Sequence, residues 1–498
     1  MIKETKQAAS VTAPLCIAIT IMAVLILGLV EGARYYGLKE DAWDFTNLAA
    51  ESLFAGYQPF LLEEYQMFLL DGSFGTGDLN IAAAEDEMKV LLYENLIAAD
   101  NTGIDFYRMN AVDIEVDAYR LITDDSGKVF EAQAAAAMKE IIKKQAAEKI
   151  RDRIKGIKDK DVLEPEESIK NADKALEELK EQKEREAAEK KEEKQEEPEQ
   201  PAEPVKENPM DTMKEIRKKG ILALVLPPDK NVSAKEVSVD HVLLKRNLRK
   251  GTYHAAKSTG WYERILMQEF IKQFAGNALK PAENSALSYG TEYLIGGRGS
   301  DEENLKKTVN MLLMLRESVN FLYLQTDKVK RAEALAAATA IAGVSANPLI
   351  ISAVEQGILA AWAYVESICD VKALLGGGKV PLLKNTGNWK TQLSGLGQAV
   401  GMDYKGESKG LTYENYLDVF LYSKTTKQAA YRGMDLMEWN MQNEDGYEKC
   451  RMDYMITGLK LTGEYDADTF FFEIFGESAA FRYCFLEQTE YEYEGVSL

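Results

Sequence analysis

"VTAPLCIAITIMAVLILGLV", residues 11–30, runs directly into "EGARYYG", residues 31–37, and the junction between the two decides how the chain is built. The first string holds twenty residues and no charge. As a helix rising about 1.5 Å per residue it matches the roughly 30 Å hydrocarbon core of a bilayer. A cleavable secretory signal has an apolar region of about 7–15 residues and a small-x-small cut site. Here the run passes into Glu31, Gly32, Ala33 and Arg34 without one, which favours a retained anchor over a cleaved leader. Lys3 and Lys6 precede the span, and Glu31, Arg34, Lys39, Glu40 and Asp41 follow it. That bias makes residues 1–10 a cytoplasmic tail and places the rest outside, in a single-pass cell-membrane topology.

The apolar pattern continues beyond the span. Phe45, Leu48, Ala49, Leu53 and Tyr57, then Phe60, Leu61, Tyr65, Phe68 and Leu69, recur at helical intervals, with a break expected at Pro59 and a turn at "DGSFGTG", 71–77. Such a stripe packs either against its own domain, the simpler reading, or against neighbouring subunits as a homo-oligomeric seam. Further on, Val112, Ile114, Val116 and Ala118 alternate before "DDSG", which predicts a strand and hairpin. Helix resumes at Glu131. Residues 164–209 form a charged helix, with a short coiled-coil seam at Ile169, Ala172, Ala175, Leu176 and Leu179, and then a Pro/Glu linker that cannot bury a core.

After the linker, "ILALVLPPD" reads as a buried strand and residues 261–442 as a helical core. Ser300 with Glu303 opens one central helix; Pro348 starts another that Gly376–Gly378 stop. Met452, Tyr454 and Ile456, then Phe481, Tyr483 and Phe485, read as closing strands of a small mixed sheet. The fold class is α+β, divided as 72–163, the insertion 164–209, and a main ectodomain 210–498.

The charge, 60 basic against 81 acidic residues, or -21, excludes nucleic acid as a general partner. Cys16, Cys369, Cys450 and Cys484 form no framework, although a Cys450–Cys484 bridge is allowed. His241 and His254 lie near no metal-ligand spacing, so no metal, cofactor or catalytic set is expected. "GGGKV", 376–380, follows a helix instead of a strand and reads as a helix stop; "GGRGSDEEN" already carries acidic residues at its helix start.

One polar set stands out. Glu355, Trp362, Glu366 and Asp370 share a helical face, and Arg316 and Asn320 lie one turn apart on the preceding helix. Paired carboxylates can perform acid–base chemistry, which makes Glu366 and Asp370 the candidate site of an anchored enzyme or ligand-binding module. The favoured reading is structural, with Arg316 neutralising Glu366 or Asp370 between two core helices.

The residues 10–72 string, "YRLITDDSGKVFEAQ", "NPMDTMKEIRKKGILALVLP", "YGTEYLIGGRGSDEENLKKTVNMLLMLRESVNFLYL" and "AAWAYVESICDVKALLGGGKVPLLKNTGNWKTQL" resemble a bacterial family of uncharacterised single-span envelope proteins. The opening is also similar to TadE- and TadG-like pseudopilins of tight-adherence (Flp-type) pilus machines. Glu31 and Arg34 take the places of their E-x-x-R element, a membrane-boundary motif, and 31–71 the place of a pseudopilin-like stalk helix. The leader departs from a processed prepilin: no Gly precedes Ser10, and Ala13 or Pro14 stands where glutamate would follow a cut near Ala8 or Ala9. The resemblance implies an extracytoplasmic accessory or scaffold protein, with the bilayer and envelope or pilus-assembly proteins as partners.

Overall fold

A computed structural model describes residues 11–100, 107–144, 208–228, 230–253, 260–343, 347–470 and 482–493. The charged helix with its coiled-coil seam, and the Pro/Glu linker through residue 207, lie outside the described residues. Two compact units are interleaved along the chain: 1–137, 247–258 and 444–498 make the first; 138–246 and 259–443 make the second. Residues 444–498, read from sequence with the main ectodomain, therefore belong with the N-terminal segment.

In the first unit, helix α1 (Thr12–Ala55) is unbroken for 44 residues. Its apolar start is exposed, and from Glu31 onward one face is buried: Glu31, Arg34, Leu38, Ala42, Thr46, Ala49, Ala50, Leu53 and Phe54. Spacing by three and four makes that face a single stripe. The stripe packs on the helix's own unit, against a sheet and α3 (Ile81–Asp100), with Met88, Ile114, Leu459, Leu461 and Tyr465 in the same core. Burial of each large side chain there contributes about 1.5–3 kcal/mol. Gly463 permits the close approach, since a Cβ on it would lie 2.6 Å from the Thr46 hydroxyl. As expected at Pro59, α1 ends before α2 (Pro59–Tyr65), whose N-cap Gln58 accepts from the Leu61 N–H.

The sheet is antiparallel throughout instead of mixed. β3 (Met455–Asp468) is central, with β2 (Met109–Leu121) along one edge. β1 (Leu70–Asp71) and β4 (Arg482–Glu492) share the other. The expected hairpin after β2 does not form. Asp125, Ser126 and Gly127 take left-handed φ of 52°, 61° and 84° and turn the chain into α4 (Asp124–Lys144), while Asp124 Oδ2 accepts from the Leu121 N–H at 2.8 Å. Strand β2 instead finds its partner at the far end of the chain. Register shifts at Ala111/Asp113 and Val116/Ala118 also break the simple alternation: Ile114 is buried but Val112 is exposed. Met452 and Tyr454, expected in a strand, lie in a 3₁₀ turn that delivers β3. Phe481 lies outside the described residues.

The second unit is helical. The segment expected as a strand at 221–226 is a single helical turn, α6 (Ile221–Val225), after α5 (Pro209–Lys218). Five residues between Gly220 and Leu226 find no strand partner here, and Leu224 and Val225 are buried on a helical core. Then come α7 (Trp261–Ala275), the wholly buried α8 (Gly290–Gly296), α9 (Asp301–Thr326), α10 (Lys328–Ala342) and α11 (Pro348–Leu375). After α12 (Leu396–Ala399), helices α13 (Tyr413–Tyr422) and α14 (Thr426–Gln442) complete it. α11 packs along α9 and α10, and from Ile358 onward it is almost entirely buried. Ser300 caps α9 by accepting from the Glu303 N–H, as the sequence predicts. "GGGKV" ends α11: the Gly376, Gly377 and Gly378 N–H groups are taken up by carbonyls of Lys372, Leu374 and Ala373. Gly378 also lets the backbone of Gly406 pass, since a Cβ there would lie 2.6 Å from the Gly406 Cα.

Among the described residues two helices, α1 and α11, are long and apolar enough to cross a membrane; the apolar window of α1 is wholly exposed, whereas that of α11 is 44% buried.

Candidate functional site

Glu31 and Arg34 sit one turn apart where the apolar run of α1 ends, and they face inward. Arg34 Nη1 donates to Glu31 Oε1 at 2.8 Å, and Nη2 donates to the Asp468 carbonyl at 2.8 Å and to the Tyr107 carbonyl. The Phe470 N–H donates to Glu31 Oε1 at 3.3 Å. The motif therefore ties the end of β3 and the approach to β2 onto α1. Arg34→Met leaves a buried carboxylate and two carbonyls without their guanidinium. It is expected to cost about 1.5–3 kcal/mol, read as earlier chemical unfolding of the first unit in detergent.

The polar set of the second unit comes together fully inside it. Arg316, Asn320, Glu366, Ser367 and Asp370 are each 0% exposed. Arg316 donates from Nε and Nη2 to Asp370 Oδ2 at 3.1 and 2.9 Å. Its Nη1 reaches the Pro381 and Leu382 carbonyls at 3.0 and 2.8 Å and the Tyr416 hydroxyl at 3.1 Å. Asn320 accepts from Arg316 Nη2 and donates to Ser367 Oγ and Asp370 Oδ2. Sequence reasoning missed a second cation. Lys384 Nζ lies 2.7 Å from both Glu366 Oε1 and Asp370 Oδ1. Glu366 Oε2 accepts from the Thr391 N–H and hydroxyl at 2.9 and 2.8 Å, and the Lys390 N–H adds another donor.

Two cations and two carboxylates thus balance by direct contact in the core, as buried charges require. The arrangement staples the loop 381–391 across α9 and α11. Each carboxylate oxygen of the pair accepts at least one hydrogen bond, and both side chains are sealed from solvent. Of the remaining face, Trp362 Nε1 donates to Thr391 Oγ1 at 2.9 Å, and Glu355 sits apart, paired with Arg331 at 3.3 Å. Lys384 left little signal in the sequence, since it stands in an aperiodic loop after two leucines, Leu382 and Leu383, that are themselves exposed.

Two other buried acids escaped the sequence. Burial pushes Glu292 to about 7, with Oε1 accepting from the Ala278 N–H and the Tyr413 hydroxyl and Oε2 left without a hydrogen-bond partner. Burial, then the neighbouring Glu438, pushes Asp435 to about 7 as well; it accepts from the Leu243 N–H and the Tyr293 hydroxyl.

Each unit also has a cleft. That of the first, about 440 Å³, is lined by Tyr57, Asp71, Tyr447 and Cys450 among others. Burial, then Asp71, raises the Cys450 thiol to about 12, so it stays protonated and is a poor nucleophile. The cleft of the second unit, about 320 Å³, contains Lys272. Burial would lower this ammonium, but Asp418 and Glu269, at 2.5 and 2.8 Å, outweigh it and hold the group above its ordinary range. Neither cleft presents an activated nucleophile. Cys450 and Cys484 are not bridged, and Cys484 is exposed while Cys450 is buried. Maleimide in mild detergent is expected to modify Cys484 at least about tenfold faster than Cys450; equal inertness of the two would instead indicate a disulfide. His241 is exposed, His254 lies outside the described residues, and no group of three metal-ligating side chains occurs among the described residues.

Against known proteins, the model of a family of unknown function, DUF5702, matches residues 198–467, more than half of the chain. No curated protein matches. No solved structure matches either.

Proposed function

The chain belongs to this family of unknown function, and from that premise we propose that it is a membrane-anchored, extracytoplasmic structural protein. In the finer form of this reading it is a TadE/TadG-like accessory or scaffold of a Tad/Flp-type pilus or related secretion assembly. The observation that carries the proposal is the continuity of α1. One helix, without a break, has an exposed apolar start long enough to cross a bilayer and a second part that is the core of a sheet unit. Such a helix holds the first unit rigidly to the span, which suits a part that transmits position better than one that diffuses to a substrate. The sealed, neutral set around Glu366 and Asp370 supports a structural role, because neither of these two carboxylates opens to solvent. With the stripe of α1 used by its own unit, the exposed Tyr36, Trp43 and Leu48 are the part of the helix available to a neighbouring subunit.

Fractionation and crosslinking in native cells test both levels. The anchor reading expects the full chain in membranes after carbonate washing, and it fails if the chain is released. The scaffold reading expects crosslinked pilus or secretion components, and it fails if the protein is recovered repeatedly alone.

A further inference from the structure

Four cations of the second unit gather at the end of α8. The last carbonyls of that helix draw two of them: Arg432 Nη1 donates to the Leu294 and Ile295 carbonyls at 2.6 and 3.0 Å, and Lys307 Nζ to the Gly296 carbonyl at 2.8 Å. Arg298 follows two residues on, its backbone N–H and carbonyl both held by the Asn304 side chain. Gly297, at φ 64°, lets the Arg432 guanidinium lie against this loop, since a Cβ on it would stand 2.5 Å from Nη2. Lys424 completes the group. Burial, then Arg432 and Lys307, hold its ammonium below the ordinary range, and burial, then Arg298 and Arg432, do the same to Lys307.

Capping of α8 accounts for Nη1 of Arg432 and one proton of Lys307, and it leaves the other donors unused. Among the described residues no carboxylate oxygen lies within 4.0 Å of any of the four cations, although the chain holds 81 acidic residues to 60 basic ones. The carboxyl that acts on Arg432, Asp435, is taken up by the Leu243 N–H and the Tyr293 hydroxyl. The side chains of Arg298 and Lys424 make no hydrogen bond, nor do Nε and Nη2 of Arg432, and none of these nitrogens is sealed in the core. Like charges drawn together and partly buried cost stability unless an opposite charge joins them. We propose that Arg298, Lys307, Lys424 and Arg432 form a binding site for a phosphate group. Arg432 keeps Nε–H and Nη2–H for a two-point contact with one oxyanion. A carboxylate would use that pair and bring a single charge to four cations. Phosphate has further oxygens for the two ammonium groups and, as a monoester or free ion, a second charge. A soluble phosphate and a lipid headgroup share this chemistry, and the site does not depend on the anchored reading.

The test titrates the full chain, in uncharged detergent micelles, with inorganic phosphate by calorimetry at an ionic strength fixed with sodium chloride. The double variant Arg298→Gln with Lys424→Gln removes two side chains that make no hydrogen bond in the fold, and Lys409→Gln, at an exposed lysine elsewhere, is the control. The double variant is expected to bind phosphate at least about tenfold more weakly than the parent. Its melting temperature in chloride alone stays level or rises, because a repulsion is relieved, and Lys409→Gln changes neither quantity. A second arm offers micelles containing phosphatidylglycerol, with phosphatidylcholine as the comparison. Binding that requires phosphatidylglycerol and is lost in the double variant supports the proposal and identifies the phosphate as a headgroup. If neither probe binds, or the double variant binds both as the parent does, the proposal is overturned. A double variant that melts well below the parent in chloride alone shows that the cations serve the fold itself, and that also overturns it.

Discussion

Arg316→Met is expected to lower the stability of the second unit by about 3–5 kcal/mol, because it leaves Asp370 short of a counter-charge in a site closed to bulk solvent and strips donors from the Pro381 and Leu382 carbonyls. The loss arises from the charge and carbonyls left behind more than from the attraction removed. A double variant, Arg316→Met with Asp370→Leu, should therefore recover part of it. Calorimetry would read the single change as a fall in melting temperature of roughly 10 °C. A single variant as stable as the parent would show that the network does not hold the unit together. Glu366→Gln provides the functional counterpart. If the variant folds and reaches the membrane normally but loses a measurable activity, the carboxylate has a chemical role.

The second large effect is a reversal of the usual pH dependence. Glu292 and Asp435, whose ordinary values are 4.5 and 3.8, are pushed by burial to about 7 in the folded unit. Folding therefore binds protons. Their contribution is fully present below the unfolded values and is lost as pH rises through about 7, on the order of 3 kcal/mol for each carboxyl. Glu292→Gln, which keeps an acceptor for the Tyr413 hydroxyl and cannot ionise, should raise stability at pH 8 by about 2–3 kcal/mol and flatten part of the decline between pH 5 and 7. Denaturant titration at several pH values measures this. A variant weaker than the parent at pH 8, with an unchanged slope, would mean that Glu292 is already ionised in the folded protein at about pH 5, as an ordinary carboxyl would be.

What the residues disclosed in advance follows from how local each determinant is. The Ser300 cap, Pro348 at the start of α11 and the glycines at its end are set by neighbours three or four positions away, and these features appear where the pattern puts them; the α1 stripe does so only in part, with Ala49 and Leu53 buried as expected but Leu48 exposed and Leu38, Ala42, Thr46 and Phe54 on the buried face instead. The α+β class was equally legible. The errors arise where distant chain decides. "ILALV" is apolar enough for a strand, but Leu224 and Val225 meet helices and no strand edge. Val112 alternates correctly in sequence and is turned outward by a bulge that only the pairing with β3 defines. For the candidate site, helical spacing was enough to group Arg316, Asn320, Glu366 and Asp370, whereas Lys384 and Thr391 come from a loop without period and become members only through the fold.

The central position of β3 has a consequence for the order of events at synthesis. α1 and β2 are made first, but the strand they both need begins at Met455, more than three hundred residues after Leu121. Loop closure over that distance is slow, and the apolar underside of α1 must wait for it. The continuous segment 259–443 has no such dependence and can condense earlier. A nascent chain that stalls before β3 would thus carry a finished helical body beside an unfinished sheet with open edges, the species most in need of a holding chaperone.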